Sequence, residues 1–316
     1  VFNANDSYWL SDPKKPTTGY SPLYGATETP RSVRTRMNIH LLEGLDGFNF
    51  TGEDGLFSVS EIQAALMDNS GLTAHLLKDE LVERCKQSPI ISKNDTSVNL
   101  LPACTILSEW DNRYNADSKG AVLFREWLTR YSYWATMHTG ELFSANFDKE
   151  NPVTSPSGLA DNERALTALA DAITLLVDNG IPLDIPLGEL QKAHRAGKSF
   201  PVHGGNRYEG IANLQVTNSH IASPVFSGSN ERVGDSQTLS SSGYNIAHGS
   251  SFVMTLNYTE NGPDARAILT YSQSGSPDSQ YFSDQTELYR DKVWRDIYFK
   301  PSDIAQNKIS YQLLTE

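Results

Sequence analysis

The chain has few cysteines and no long apolar run. Two of its 316 residues are cysteine, and neither lies in a CxxC pair or at a zinc-ligand spacing from a histidine. The pair, Cys85 and Cys104, is compatible with one disulfide and equally with two buried free thiols. No segment approaches the roughly 18–20 apolar residues that a membrane-spanning helix needs. We therefore expect no membrane partner.

Basic residues are also in the minority. The sequence has 26 Lys and Arg residues against 38 Asp and Glu, which gives a formal net charge of −12. A field of this sign repels polyanions, so we expect no nucleic-acid partner. Hydrophobic residues make up 38% and charged residues 20% of the chain, as in globular proteins of one large or two ordinary domains.

Metal-ligand patterns are incomplete. The stretch 50–61 places Glu61 at the twelfth position of an EF-hand loop, but Phe50 and Gly52 have no side-chain oxygen at the first and third. A capping box of Ser58 and Glu61 at a helix start explains Glu61 better. The seven histidines include no pair at H-x-x-x-H spacing. We expect no bound metal and no cofactor.

A self-contained serine hydrolase is also a poor match. The nucleophile elbow G-x-S-x-G does not occur in the sequence. His248 and Ser274 lie in loops beside strands, where Ser, Gly and His are usually turn formers. A local catalytic triad built on these two residues is therefore not favoured.

The hydrophobic pattern predicts helices first and antiparallel strands last, which is an α+β arrangement. The predicted helices lie at 34–45, after the cap at 58, and at 73–85, 101–111, 120–135 and 162–180. The predicted strands lie at 211–216, 251–258 and 265–272, with a hairpin turn at Asn261 and Gly262. Residues 227–243 are rich in Gly and Ser and predict a long mobile loop.

The N-terminal segment 1–36 reads as irregular because four prolines interrupt it. It ends in three arginines within six residues, Arg31, Arg34 and Arg36. Composition favours a solvated helix N-terminus, although the positive end of the helix dipole is unfavourable for cations. The alternative interpretation directs one guanidinium at a carboxylate, an oxyanion or a catalytic amide.

Several stretches resemble one known family. They are "NANDSYWLSDP" (3–13), "GYSPLYG" (19–25), "PRSVRTR" (30–36), "CTILSEWD" (104–111), "GYNIAHGSSFVMTLNY" (243–258) and "SQSGSPDSQYFSDQTELYRDKVWRDIYF" (272–299). Together they resemble the C-terminal part of the β-subunit of the penicillin-acylase family. Within it they are most similar to the N-acyl-homoserine-lactone (quorum-quenching) acylases and their aculeacin-acylase relatives.

The resemblance implies a fold. It is the C-terminal portion of an αββα N-terminal-nucleophile hydrolase sandwich with a helical insertion. Residues 1–36 would line the cleft, 37–200 would form a mainly helical region, and 201–316 would return antiparallel strands to the sandwich.

The resemblance also implies a reaction. Family members hydrolyse N-acyl amides with an N-terminal serine whose own α-amine is the base. It places an oxyanion-binding asparagine at Asn5 and an orienting arginine at Arg34, with Asn3 and Arg36 as alternatives if the register differs. The expected substrate is an N-acyl-homoserine lactone, and the alternatives are a penicillin or a lipopeptide. A non-catalytic extracellular binding module is the alternative from another class.

Finally, the resemblance implies partners and a compartment. The nucleophile would lie upstream of Val1, so we expect this chain to be a fragment. Its partners would be the upstream α-chain and the N-terminal β-segment of the same precursor. Such enzymes are periplasmic or secreted, where disulfides persist. A disulfide between Cys85 and Cys104 would then close a helical hairpin.

Overall fold

Seven of the nine α-helices in the described residues lie before residue 191. The computed structural model describes residues 1–93, 96–138, 140–195, 197–217 and 231–314. Its α-helices are α1 Val33–Glu43, α2 Val59–Met67, α3 Leu72–Gln87, α4 Leu101–Glu109, α5 Ala121–Leu128, α6 Arg164–Asp178, α7 Leu187–Leu190, α8 Asp284–Arg290 and α9 Pro301–Asn307. Short 3₁₀ turns lie at Tyr8–Leu10, Pro22–Tyr24, Leu45–Gly47, Tyr133–Thr136 and Gln280–Phe282. Within these described ranges, no helix combines the length and the apolar character needed to cross a membrane.

Helix starts follow the capping chemistry. Before α1, the Oγ atom of Ser32 accepts a hydrogen bond from the Thr35 N–H at 3.1 Å. At α2 the predicted capping box is formed: the Ser58 N–H donates to Glu61 Oε2 at 2.7 Å, and the Glu61 N–H donates to Ser58 Oγ at 3.3 Å. Such caps satisfy backbone groups of the first turn and contribute about 1 kcal/mol. The helices predicted at 34–45, 73–85, 101–111 and 162–180 are confirmed as α1, α3, α4 and α6.

The helix predicted over 120–135 is wrong in its second half. Helix α5 ends at Leu128, and a separate 3₁₀ turn covers Tyr133–Thr136. Between them, Ser132 has extended backbone angles, and its Oγ accepts a hydrogen bond from the Ala135 N–H at 3.2 Å. A serine that caps a new turn competes with continuing the old helix. The aromatic residues that follow hide this break, because they extend the apolar pattern.

The strands form small antiparallel sheets. They are β1 Ile90–Lys93, β2 Thr96–Asn99, β3 Phe143–Ala145, β4 Ser157–Leu159, β5 Lys192–Arg195, β6 Lys198–Pro201, β7 Gln215–Thr217, β8 Leu239–Ser240, β9 Gly243–Tyr244, β10 Ile246–Gly249, β11 Phe252–Thr259, β12 Gly262–Leu269 and β13 Arg295–Asp296. In the described part, β11, β12 and β13 form a three-stranded sheet, and the other strands pair in twos. The content is therefore mixed helix and strand, in small sheets.

The hairpin of β11 and β12 confirms the predicted turn and shifts it by one residue. Thr259 pairs with Gly262, so the two turn residues are Glu260 and Asn261. Gly262 has a φ of +101°, a conformation that side chains with a Cβ rarely adopt. The glycine that signals the turn is therefore the first residue of the second strand.

Two predictions for the second half need correction. Of the strand predicted over 211–216, only the end is extended, because β7 begins at Gln215. Asn213 is fully buried, and its Nδ2 donates to Asn69 Oδ1 at 2.9 Å, which fixes the chain as a bend there.

The loop predicted over 227–243 is also wrong near its end, where β8 and β9 pair. The ring of buried Tyr244 lies under the Arg125 guanidinium at 4.5 Å, and this contact explains why β9 has a fixed position instead of being part of a loop. Residues 227–230 lie outside the described residues.

The main core lies among α3, α4, α5 and α6. Every residue of α5 is buried, with Trp127 fully inaccessible. Complete burial of a large apolar side chain contributes roughly 1.5–3 kcal/mol. A disulfide joins Cys85 of α3 to Cys104 of α4 with a Cα–Cα distance of 5.9 Å. The expected bridge across this helical hairpin is thus present.

Candidate active site

The N-terminal polar residues form a tight turn. The Oδ1 atom of Asn3 accepts a hydrogen bond from the Asn5 N–H at 2.8 Å, and Asn3 Nδ2 donates to the Asp6 carbonyl at 3.1 Å. Asn5 itself has a φ of +60°, in the left-handed region that asparagine tolerates better than most residues. The side chain of Asn3 is therefore used inside the turn, whereas that of Asn5 projects outward and is exposed.

Asp6 attaches this turn to the start of α1. Its Oδ1 accepts hydrogen bonds from Arg31 Nη1 at 2.7 Å and from the Ser7 N–H at 2.8 Å. Its Oδ2 accepts a hydrogen bond from Thr35 Oγ1 at 2.7 Å. The Arg31 side chain is buried, so this ion pair is shielded from water and is stronger than an exposed one. The first arginine of the cluster thus fixes the position of the turn.

Arg34, the second arginine, binds the turn directly. Its Nη1 donates to the Ala4 carbonyl at 2.8 Å and to Asn5 Oδ1 at 3.1 Å. The amide atom that faces a guanidinium must be the oxygen, so the Nδ2 atom of Asn5 points away from Arg34. Among the described residues, that nitrogen has no acceptor, so its N–H groups are available to a ligand.

Arg36, the third arginine, points elsewhere. Its Nε donates to the Val153 carbonyl at 2.7 Å and its Nη1 to the Pro156 carbonyl at 3.0 Å. Burial lowers the pKa of Arg36 to about 10, although the guanidinium stays protonated at neutral pH. The structure therefore brings Asn5 and Arg34 together, whereas Arg36 is in the core and the side chain of Asn3 holds the turn.

An aromatic and cationic cluster lies near the turn, and sequence reasoning missed it. The Arg207 guanidinium stacks over the Tyr133 ring at 5.0 Å, and the rings of Tyr133 and Tyr208 meet edge-on at 5.4 Å. Burial raises the pKa of Tyr133, and the charges that act on its hydroxyl include those of Asp6 and Arg34. More than 90 residues separate these residues from Asn5, so no local pattern could have found them.

The other candidate residues have ordinary structural surroundings. The Glu61 carboxylate is used in the capping box. Ser274 donates from Oγ to the Ser276 carbonyl at 3.5 Å within its own turn. His248, which was predicted to lie in a loop, is instead part of strand β10, where it pairs with Val216. In the described ranges, no group of three or more His, Cys, Asp or Glu side chains could hold a metal ion.

The chain belongs to the penicillin amidase family. The family model "Penicillin amidase" matches residues 1–306, which confirms the resemblance inferred from the motifs. Among curated proteins, the chain is similar to an aculeacin-A acylase from Actinoplanes utahensis, with 34% identity over 96% of this chain and 36% of the relative. It is also similar to the acyl-homoserine lactone acylase PvdQ of Pseudomonas syringae pv. syringae, with 30% identity over 100% of this chain and 37% of the relative.

The chain thus spans little more than a third of the length of these relatives. Among solved structures, it is similar to a thermostable penicillin G acylase from Alcaligenes faecalis. That comparison has a TM-score of 0.45 and 17% sequence identity, and it covers 96% of this chain and 55% of the other.

Proposed function

We propose that this chain supplies the oxyanion-binding turn of an N-acyl amide hydrolase. The observation that carries the proposal is the contact of Arg34 Nη1 with Asn5 Oδ1 at 3.1 Å. With the amide oxygen held, Asn5 presents its N–H donors in one fixed direction. The family membership and the acylase relatives support the same reaction class.

In this mechanism the nucleophile comes from outside these residues. An N-terminal serine of the upstream β-segment attacks the acyl carbonyl carbon, and its own α-amine takes the hydroxyl proton. The carbonyl oxygen becomes an oxyanion, which accepts a hydrogen bond from Asn5 Nδ2. The positively charged guanidinium of Arg34 lies against the amide oxygen of Asn5. It polarises the Asn5 amide and makes the N–H groups of that amide better donors. The α-ammonium then gives this proton to the leaving nitrogen as the C–N bond breaks, which leaves an acyl ester on the serine. Water hydrolyses the ester, which releases the acid and the free serine.

The wider architecture belongs to the same proposal. We infer that the chain is the C-terminal portion of an αββα sandwich, divided at residues 36 and 200 as the resemblance implies. It would assemble with the α-chain and the N-terminal β-segment of one precursor. A periplasmic or secreted location is supported by the disulfide between Cys85 and Cys104, since such bonds persist in oxidising compartments.

Two substrate classes have specific support. The PvdQ relatives favour an N-acyl-homoserine lactone, which would release a fatty acid and homoserine lactone. The aculeacin-A acylase relative, at 34% identity, favours a lipopeptide as the second candidate. Both substrates contain an acyl amide, so the same oxyanion site would serve either.

The test removes the side-chain amide of Asn5 in the assembled enzyme and measures turnover. We expect Asn5→Ala, co-expressed with the upstream region, to lose roughly 100- to 1000-fold in kcat and to stay folded. Its melting temperature should fall only slightly, because alanine tolerates the left-handed conformation of residue 5 less well than asparagine. Released acid is measured by mass spectrometry from acyl-homoserine lactones of graded chain length, a lipopeptide and a penicillin.

Asn257→Ala is the matched control, since Asn257 is an exposed asparagine far along the chain, in β11. Normal turnover in Asn5→Ala would exclude the oxyanion role. If the wild-type protein hydrolyses none of these substrates, the enzyme interpretation fails and a non-catalytic binding module becomes the better interpretation.

A further inference from the structure

Residues 206–210 form a turn that is anchored in the protein core. The fully buried Arg125 donates to the Glu209 carboxylate twice, from Nε to Oε1 at 2.5 Å and from Nη2 to Oε2 at 3.1 Å. A buried, bidentate ion pair of this kind fixes geometry as well as charge. From α3, Thr73 Oγ1 donates to the Tyr208 carbonyl at 2.8 Å. The backbone of this turn is therefore held in one position.

The same turn packs against the start of α1. A Cβ atom added at Gly210 would lie 2.9 Å from the Cβ atom of Val33, so only a glycine allows the two segments to come so close. Val33 is fully buried, and the residue that follows it is Arg34, which contacts Asn5. The turn at 206–210 thus lies directly beside the residues that position the proposed oxyanion donor.

Arg207 projects from this turn and stacks on aromatic rings. Its guanidinium carbon lies 5.0 Å from the centre of the Tyr133 ring and 6.0 Å from the centre of the Tyr208 ring. The residue is exposed, and within the described ranges its guanidinium makes no hydrogen bond or ion pair. Stacking uses the faces of the planar group and leaves the N–H donors at its edge free. The guanidinium is therefore oriented by the rings and open to an oxygen acceptor.

The proposed substrates offer such an acceptor on one side of the scissile amide. Their acyl side is mainly hydrocarbon, which cannot accept a hydrogen bond. Their amine side has a carbonyl group on the carbon next to the amide nitrogen: the ester carbonyl of a homoserine lactone, a peptide carbonyl in a lipopeptide, and the β-lactam carbonyl in a penicillin. The feature that the three classes share is therefore on the amine side.

We propose that Arg207 binds this carbonyl oxygen and so selects acyl amides whose amine half has a carbonyl or carboxylate next to the amide nitrogen. The inference rests on the proposed function, because it assigns Arg207 to the amine side of the site that contains Asn5. A carboxylate can accept two parallel hydrogen bonds from the guanidinium and also carries a charge. The ring-opened N-acyl-homoserine is therefore expected to bind at least as tightly as the lactone.

The experiment uses the assembled enzyme and three decanoyl amides that differ only in the amine. They are decanoyl-homoserine lactone, ring-opened decanoyl-homoserine, and N-cyclopentyldecanamide, whose only carbonyl is the scissile one. We expect Arg207→Met to raise KM for the first two by roughly 10- to 100-fold with little change in kcat, because it removes a charged donor used equally in the bound and transition states. The cyclopentyl amide should have the same KM in both proteins.

Two further variants separate hydrogen bonding from bulk charge. Arg207→Lys keeps the charge but has no planar fork, so we expect it to recover more of the affinity for the carboxylate than for the lactone. Arg295→Met removes the same charge from β13, where the residue is exposed, and should leave KM unchanged for all three amides.

Binding is also measured without turnover, by isothermal titration calorimetry of the Asn5→Ala enzyme with and without Arg207→Met. We expect the Kd of decanoyl-homoserine to rise by the same roughly 10- to 100-fold. Equal Kd values in the two proteins, or an equal loss for the cyclopentyl amide, would overturn the role of Arg207.

The outcomes separate this inference from the proposed function. A Kd that depends on Arg207, in a wild-type enzyme that hydrolyses none of the three amides, would support the binding role and reject the proposed function. Hydrolysis of all three amides with a KM that does not depend on Arg207 would support the proposed function and reject the binding role.

Discussion

A side-chain amide both accepts and donates, and the two ends of Asn5 have different neighbours. Its oxygen accepts a hydrogen bond from Arg34, while its nitrogen faces solvent. Neither group of this pair changes charge near neutral pH, because an amide does not titrate and arginine stays protonated. Burial lowers the pKa of the Arg34 guanidinium, and arginine stays protonated in proteins at neutral pH. We therefore expect any pH dependence of turnover to come from other groups.

Arg34→Met tests the contact that orients the amide. The variant leaves the Ala4 carbonyl and Asn5 Oδ1 without their donor, so the amide can rotate. Losing a hydrogen bond from a charged donor corresponds to about 1.5–3 kcal/mol, or roughly 10- to 100-fold in kcat. We expect KM to change little, as measured in steady-state kinetics of the assembled enzyme.

The matched variant is Arg34→Lys, which keeps the charge and one donor. We expect it to recover part of the lost kcat. Equal kcat in the wild type and the Met variant would show that Arg34 has no orienting effect.

The positions of these residues were only partly predictable. Composition favoured a solvated cluster for the three arginines, but Arg31 and Arg36 are buried. The pairing of Asn5 with Arg34 was expected from the resemblance alone, since 29 residues separate them and no periodic pattern connects them. The left-handed conformation of Asn5 and its bond to Asn3 depend on the folded turn.

The disulfide between α3 and α4 is the covalent link between two elements of the main core. We expect the double variant Cys85→Ala/Cys104→Ala to lose about 3 kcal/mol of unfolding free energy, since the bridge closes a loop across a sequence separation of 19 residues. Urea unfolding followed by circular dichroism measures this loss.

Reductant serves as the control. It should destabilise the wild type and leave the double variant unchanged. Detection of two free thiols in the unreduced, denatured wild type would contradict the bridge.

Elements with short-range signals were predicted well. The capping box at α2 and the turn between β11 and β12 both depend on residues that are adjacent in sequence. The break after α5 was missed because Ser132 caps a new turn inside an apolar run. The short hairpin of β8 and β9 was also missed, since its order comes from the burial of Tyr244 beneath Arg125, which no local pattern reveals.

Buried His203 makes the stability of the folded chain depend on pH. Its Nε2 donates to the Tyr289 carbonyl at 2.7 Å, and its Nδ1 accepts from Asn213 Nδ2 at 3.1 Å. Burial lowers its pKa to about 4, and the charge of Lys292 acts in the same direction. The folded state therefore holds the neutral ring, which an unfolded histidine with a pKa of about 6.5 does not.

We expect the unfolding free energy to be lost as the pH falls from about 6.5 to 4, because the unfolded chain takes up a proton that the folded chain excludes. The loss from His203 reaches about 3 kcal/mol at the acid end. Urea unfolding at a series of pH values measures the slope, and His203→Gln should flatten it. An equal slope in the two proteins would show that His203 binds the same number of protons in the folded and the unfolded chain, and so makes no contribution to the pH dependence.

The change from long helices to longer strands along the chain was predictable, but the strand pairs β1 to β6 among the helices and the late helices α8 and α9 were not. The long-range polar contacts were not predictable either. The network around His203 joins Asn69, Asn213 and Tyr289, which lie far apart in sequence. The asparagines are of a type common in turns and on surfaces, and no local pattern links them to Tyr289, so only the folded chain reveals that these residues are buried together.

The arginines at the start of α1 have a consequence for insertions and deletions. Successive residues of an α-helix are rotated by about 100°, so Arg34 and Arg36 project in nearly opposite directions. One meets the Asn5 turn and the other meets carbonyls in the core. A single residue inserted between Val33 and Arg36 would turn one of these side chains away from its partner. An insertion or deletion of one residue in the first turn of α1 would therefore break one of the two sets of contacts even if both arginines were kept.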